Sequence, residues 1–349
     1  MAKIVQIRGA LLEEAVLFLL EKVGYRIVYK PTDSIDPSDI NAGHSGLELR
    51  GRGSWHQIDA IAEQSHTPAF IYPLRLIVEA KFYTSKTVGI EVVRNAVGVI
   101  KDVSENYFTI HKGSSTVGTQ RFNYQSAVFG VSGFSPRAVE YAIAHQIFLI
   151  EYRNIPVIEP VIDAIRNINE DCLTPEGLGN IAGVREVLKQ ALANSRPINT
   201  PKLFTQEGID IINRRVAQAL REIGGSYFGM LQGRWPLHLL TQNPLPAYAF
   251  REDVVKCRLQ GERNGSWRFT PSEIGPNSEN WFELQFFLPP ELALLVAEKW
   301  NDPLLVAQTK EQNFSFITLS GKIGEIWRSV RLELDRGWLQ RYIDNMDRS

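Results

Sequence analysis

Apolar residues recur at helical spacing at Leu11, Leu12, Ala15, Val16, Leu19, Leu20 and Val23, and Gly24 follows as a stop signal, so a helix is predicted over Ala10 to Val23. Its two adjacent glutamates separate by position. Glu14 and Glu21 fall together on the polar side, whereas Glu13 lies at the margin of the apolar stripe and is expected to look into the domain. Tyr25 to Tyr29 predicts a short strand, Lys30 to Gly46 a loop rich in turn residues, and Leu47 to Leu49 the start of a sheet. A strand is expected around IDAI, which holds Asp59, and another over LRLIVEAK, Leu74 to Lys81. In the latter, the period of two sets Leu76, Val78 and Ala80 on one face and Ile77, Glu79 and Lys81 on the other. The polar connection from Glu63 to Pro68 would join the two as an antiparallel pair.

The pattern then predicts a helix over Ile90 to Val103, with Arg94 and Lys101 on one face, and a buried strand over Ala127 to Val131. Ser135 and Pro136 supply an N-cap and first-turn proline for a helix through His145, and Ile147 to Ile150 closes the unit as a strand. This order predicts the α/β class, an α/β sandwich with a mixed central sheet over residues 1–153. The two prolines of Asn154 to Pro160 suggest a linker. Residues 161–349 read as an α+β domain: helices at Val161 to Ile168, Val184 to Ala193 and Gln206 to Ile223, punctuated by Gly177, Gly179, Gly183, Pro197 and Pro201. From Ser226 the chain turns aromatic and strand-like, with one helix from Glu291 to Lys299.

At 349 residues and 44% hydrophobic content the chain can build a core in each of two domains. A net charge of -1 argues against a nonspecific polycation, so any nucleic-acid site must be a local patch. The N-terminus lacks the order of a secretory signal and no apolar run reaches membrane-spanning length, so the expectation is a cytoplasmic protein with no membrane partner. Cys172 and Cys257 are too few for a disulfide framework and lack zinc-site spacing. Trp235, Trp267, Trp281, Trp300, Trp327 and Trp338 crowd the second half, where core and interface packing is the more frequent use and base stacking the alternative.

A carboxylate beside Ile77 loses hydration and must recover it from a partner or a cation. With Asp59 brought alongside Glu79, the two can share a hard divalent ion, and Lys81 would stand beside the reacting group as a point charge. Glu13, Asp59, Glu79 and Lys81 thus form the set that metal-assisted phosphodiester hydrolysis needs. The bland alternative is a strand ion pair, the usual fate of such residues.

On these residues the chain resembles the PD-(D/E)xK nuclease superfamily, and within it the Mrr-like restriction endonucleases and archaeal Holliday-junction resolvases. The matching features are Gly9, Glu13, Gly24 and Tyr25 in and after the first helix, Asp59 after the glycine-rich basic loop GRGSWHQIDAI, and VEAK at a strand's end. FSPRAVEYAIAHQIFLIEY is similar to the closing helix and strand of Mrr-like catalytic domains, so the resemblance covers about residues 1–152. Asp59 follows Ile58 where proline is common in that superfamily. The resemblance implies a restriction-endonuclease-like fold and a Mg²⁺- or Mn²⁺-dependent endodeoxyribonuclease, with Asp59, Glu79 and the Ala80 carbonyl as metal ligands, Lys81 as the catalytic lysine and Glu13 assisting.

DNA is the expected partner. Arg50, Arg52, Lys86 and Arg94 are candidates for phosphate contacts, and His56 and Gln57, next to Asp59, for the scissile phosphate or water. The alternatives are a nuclease for branched DNA and a non-cleaving nucleic-acid-binding module. Because a duplex has two strands to cut, a C₂ homodimer is the geometric expectation.

Overall fold

The first helix is longer than its amphipathic stretch. In the computed structural model, which describes residues 2–346 except 44–45, 65–69, 107–108, 113–114, 119, 194–201, 264 and 325, helix α1 runs Ala2–Val23. Eight of the ten residues from Leu11 to Leu20 are apolar, and a helix apolar nearly all round belongs in an interior. Here it lies between the central sheet and a second layer of helices.

The strands that follow are β1 (Tyr25–Val28), β2 (Ile40–Gly43), β3 (Gly46–Arg50), β4 (Trp55–Ile58), β5 (Ala60–Gln64) and β6 (Leu74–Lys81). Then come α2 (Ile90–Ser104), the small hairpin β7 (Thr109–Lys112) and β8 (Ser115–Gly118), β9 (Asn123–Gly130), α3 (Pro136–His145) and β10 (Phe148–Glu151). The central sheet has the order β1-β5-β6-β9-β10, antiparallel across β1, β5 and β6 and parallel across β6, β9 and β10. Leu76, Val78 and Ala80 of β6 face α1, and Val128 of β9 faces α2 and α3 on the other side. Ser135 caps α3 by accepting from the Ala138 N–H, with Pro136 at its first position.

Three expectations change. The segment from Lys30 to Gly46 contains β2, which pairs with β3 and β4 in a separate three-stranded sheet. The Asp59 strand is two strands: β4 belongs to that side sheet and β5 to the central one, and the chain bends at Asp59 between them. Glu63 is not part of a polar connection but sits fully buried in β5, where Arg75 of β6 donates to it over 2.9 Å. The rest of that connection, residues 65–69, lies outside the described residues, as do Pro197 and Pro201.

Beyond residue 153 the core continues. Ile155 and Ile158, within the expected linker, are buried with α1 and the helices α4 (Glu159–Arg166), α5 (Pro175–Gly179), α6 (Ile181–Ala193) and α7 (Gln206–Asp210), the last continuing through a π-helical stretch, Ile211–Ala217, into α8 (Gln218–Glu222). The remaining strands are β11 (Gly225–Leu231), β12 (Trp235–Thr241), β13 (Val254–Gly261), β14 (Ser266–Pro271), β15 (Leu284–Phe287), β16 (Phe316–Ile323) and β17 (Ile326–Leu334), closed into a barrel in the order β11-β12-β15-β14-β13-β17-β16. Helices α9 (Pro290–Lys299), α10 (Pro303–Asn313) and α11 (Arg336–Met346) accompany it. The whole is mixed α/β. Trp267 is buried in the barrel core and stacks on Phe314, while the Trp327 indole donates to the Val23 carbonyl and ties the barrel to α1. No helix among the described residues is long and apolar enough to cross a membrane. Cys172 and Cys257 are free and buried.

The barrel also meets the sheet through a buried chain of polar groups. Ser226 donates to the Leu19 carbonyl, so its hydroxyl accepts from His238 Nε2–H, and His238 Nδ1 accepts from the Tyr152 hydroxyl, both over 2.7 Å. Burial depresses His238 from 6.5 to about 3, and the neutral ring already uses both nitrogens. A depressed pKa gives stability that is complete above 6.5 and is lost as the pH falls toward 3. Unfolding free energies from urea titrations at neutral and acidic pH should therefore fall on acidification, by up to ~1.4 kcal/mol per pH unit, and His238→Leu should flatten that limb. At neutral pH the same variant should cost about 1–3 kcal/mol, because the Tyr152 hydroxyl loses its acceptor.

Candidate active site

The site is built where β5 and β6 run side by side. Ala60 pairs with Val78 in the antiparallel register, so Asp59, one residue before β5, stands opposite Glu79. Two residues along β6, Lys81 projects from the same face as Glu79, and its Nζ lies 2.7 Å from Glu79 Oε1. From the other side of the sheet comes α1, with Gly9 packed over the Ala80 carbonyl at 3.9 Å from the position of a Cβ and Glu13 one turn further on.

Burial dominates the electrostatics. It pushes Glu13 up to about 8, opposed by the Arg185 guanidinium and aided by the charge of Asp59. Glu79 is also raised by burial, with Lys81 pulling the other way and Asp59 adding repulsion. Burial works to lower Lys81, but the charges of Glu79 and Asp59 outweigh it and hold the ammonium above its ordinary range. Lys81 therefore stays a cation at neutral pH and serves as a charge and hydrogen-bond donor, not as a base.

Arg185 of α6 is the residue that sequence reasoning missed. Its Nη1 lies 2.6 Å from Glu13 and 3.3 Å from the Asp59 carbonyl, and its Nη2 is 3.4 Å from Glu14. The signal available was an arginine beside Val184 at the edge of the apolar stripe of IAGVREVLKQALA. What it would meet there depends on α6 crossing α1, which no local pattern shows. The same packing corrects the reading of Glu14, which is buried rather than on a solvent face because α6 covers that side.

The predicted DNA-contact residues divide into two groups. Lys86 and Arg94 lie after the C-terminal end of β6, the Lys86 ammonium over the Tyr83 ring at 4.6 Å and the Arg94 guanidinium over Tyr141 at 5.7 Å. Arg50, Arg52 and His56 lie at the far end of the β3–β4 hairpin, about 10–13 Å along the strand from Asp59. There His56 Nε2 is 2.7 Å from Asp102 of α2, Arg52 pairs with Glu105 over 2.9 Å, and Gly53 N–H donates to Asp102. Gln57 is exposed and sits across from Glu48 in the β3–β4 register. Glu13, Asp59, Glu79 and Lys81 are thus brought together; Arg50, Arg52 and His56 are not brought to them.

Among the described residues no group of three or more His, Cys, Asp or Glu side chains is arranged to hold a metal ion. The hard donors brought together are two carboxylates, Asp59 and Glu79, that repel each other; the Ala80 carbonyl, the third ligand the resemblance implies, lies under Gly9 of α1. Such a hard-oxygen set fits Mg²⁺, which usually takes one or two carboxylates and keeps several waters.

Glu13 supplies a test of this electrostatic description. A raised carboxyl gives stability that is full below 4.5 and is lost as the pH rises through about 8. Glu13→Gln should accordingly match the wild type near pH 5 and unfold at higher urea than the wild type near pH 8.5. An unchanged difference between the two proteins across that range would show that Glu13 is not held protonated by burial.

The fold and site together define a mixed α/β protein with a carboxylate–lysine cluster at the strand ends of a central sheet. No family model matches the chain, and no curated protein matches it. Among solved structures it is similar to that of the protein of unknown function AF1548, at 16% sequence identity and a TM-score of 0.33, over 61% of this chain and 96% of that one.

Proposed function

We propose that this chain is a divalent-metal-dependent DNA endonuclease of restriction or defence type, with a restriction-endonuclease-like sandwich over residues 1–153 as its catalytic unit. The observation that carries the reading is the β5–β6 register, which sets Asp59 opposite Glu79 with Lys81 2.7 Å from Glu79. Mg²⁺ or Mn²⁺ would supply Lewis-acid polarisation of the phosphate and a more acidic bound water, and Asp59, Glu79 and the Ala80 carbonyl are the groups to hold it. Lys81, kept cationic by its acidic neighbours, donates to the attacking water and steadies the charge that develops on phosphate oxygen. Glu13 and Arg185 fix the other wall of the site, Arg185 holding the Asp59 backbone through its carbonyl. The barrel and its helices are the part available for target choice or for pairing two copies.

The test is incubation of the purified protein with supercoiled, relaxed and methylated plasmid in Mg²⁺, Mn²⁺ or EDTA. Nicked or linear product in metal and none in EDTA is the expected result; a folded protein that cuts nothing under any of these conditions refutes it. Comparing linear with branched substrates separates restriction from junction cleavage. A second reading, a non-cleaving nucleic-acid-binding module, is favoured by one observation: Glu79 and Glu13 already have cationic partners in Lys81 and Arg185. It requires salt-sensitive DNA binding that is indifferent to EDTA.

A further inference from the structure

Parallel strands β6, β9 and β10 all end on the same edge of the sheet, and the segments leaving them enclose a crevice of about 460 Å³ against α4. Its wall begins at Tyr83, two residues past Lys81, so its mouth opens about 7 Å from the lysine. The crevice therefore lies next along the chain from the site described above without sharing its carboxylates.

The lining has the chemistry of an anion site. Lys86 reaches in from the segment after β6, Arg153 from the end of β10 and Arg166 from the last turn of α4. Each arginine holds a carboxylate on its own element, Arg153 Nε lying 2.6 Å from Glu151 and Arg166 pairing with Asp163. A guanidinium carries five N–H donors in a fixed fork, and one pairing leaves it further donors for a second oxygen. Stacking of Arg153 against Phe287, at 5.3 Å, holds that fork in place. Arg8 of α1 lies close enough to Arg166 for the two cations to repel, which lowers Arg8 together with its burial. Glu159 on the rim joins Glu151 and Asp163 in opposing the three cations, so the lining offers spare N–H donors rather than a surplus of positive charge. An independent sign is Ser132, a lining residue whose hydroxyl is buried without a hydrogen-bond partner among the described residues. A buried hydroxyl with nothing to bond is costly until a ligand oxygen meets it.

We propose that this crevice binds a backbone phosphate of the nucleic-acid strand, one or two nucleotides from the bond at Glu79 and Lys81. The spacing suits this, since a strand in a duplex carries one charge per about 3.4 Å of axis, against about 7 Å from Lys81 to the crevice mouth. Lys86, Arg153 and Arg166 donate to the phosphate oxygens through the N–H groups their carboxylates leave unused, and Ser132 donates to it as well. The assignment rests on the nuclease reading, because the strand must run through the Glu79–Lys81 site to arrive here.

The experiment measures binding of a fluorescein-labelled 12-nucleotide single-stranded DNA, without divalent metal, across a series of salt concentrations. The variants are Lys86→Gln/Arg166→Gln, whose side chains are solvent-facing, and Ser132→Ala; Arg153→Lys keeps the partner of Glu151 charged. Plasmid cleavage by the wild type is recorded alongside. The double variant is expected to bind roughly tenfold more weakly at low salt and to lower the slope of log K against log salt by about one, with an unchanged melting temperature. Ser132→Ala should weaken binding severalfold without changing the slope. Wild-type affinity and slope in the double variant, while the wild type binds and cuts, would overturn the crevice assignment and leave the nuclease standing. A wild type that neither binds nor cuts would overturn both.

Discussion

Lys81→Ala is expected to lower metal-dependent cleavage by about 10²- to 10³-fold or more, the usual cost of removing one charged donor from a developing phosphoryl charge. The reason lies in what the side chain touches. Lys81 is held against Glu79 at 2.7 Å and is kept protonated by Glu79 and Asp59, so its removal takes a fixed positive charge from this end of β6. The fold should survive the change: Lys81 keeps about a quarter of its side chain in solvent, and Glu79, already raised by burial, can take up a proton once its partner is gone. Glu79→Gln should give a comparable loss of cleavage, since on the proposed reading it removes a charge that would hold the metal while preserving shape. Initial rates on supercoiled plasmid, with thermal melts of the same preparations, are the measurement. Cleavage within about threefold of wild type in either variant, a difference under 1 kcal/mol in barrier, would remove the site assignment.

Arg75→Ala should act on the other end of the same strand and on stability. Arg75 is fully buried, and its guanidinium donates to Glu63 at 2.9 Å, to Asp39 at 2.7 Å, to Tyr124 at 2.9 Å and to Ser34 at 2.9 Å, with Phe122 beneath it at 3.6 Å. Removing the cation leaves two carboxylates in the interior facing each other, and breaking a buried ion set in this way costs about 3–5 kcal/mol. Urea unfolding at pH 7 would read this as a lower midpoint with an unchanged slope. Adding Glu63→Gln and Asp39→Asn to Arg75→Ala should recover part of the loss, because the stranded charges are then gone. A loss below about 1 kcal/mol in the single variant would mean that the three charges are not desolvated together. The network joins β5, β6, β9 and the segment before β2. It thereby fixes the register that also brings Asp59 opposite Glu79.

Much of this was legible in the chain. The alternation in LRLIVEAK set Glu79 and Lys81 on one face, and they are in contact. The apolar spacing and caps located α2, α3 and the closing strand within a residue or two. The spacing beside the stripe turns Glu13 inward, and it is buried, but the same reading puts Glu14 in solvent, where it is buried too. These successes share a cause, since helix and strand periods are local properties of the backbone and a few residues reveal them. The bend at Asp59 was not legible, because IDAI is apolar on both sides whether one strand continues or two sheets meet there. Nor was the barrel, whose closure depends on β17 pairing with β13 and β16, in parallel with the one and antiparallel with the other.

By itself, the sequence determined which residues could share a face: Glu79 with Lys81, and Leu76 with Val78 and Ala80. Only the tertiary structure decided what those faces meet. It brought Arg185, 172 positions beyond Glu13 by difference of residue numbers, against that carboxylate, buried Glu14 behind α6, and carried His56 away to Asp102. The physical reason is range. Backbone periodicity acts over a few residues, whereas ion pairs and apolar contacts act through space between segments that the chain order leaves far apart.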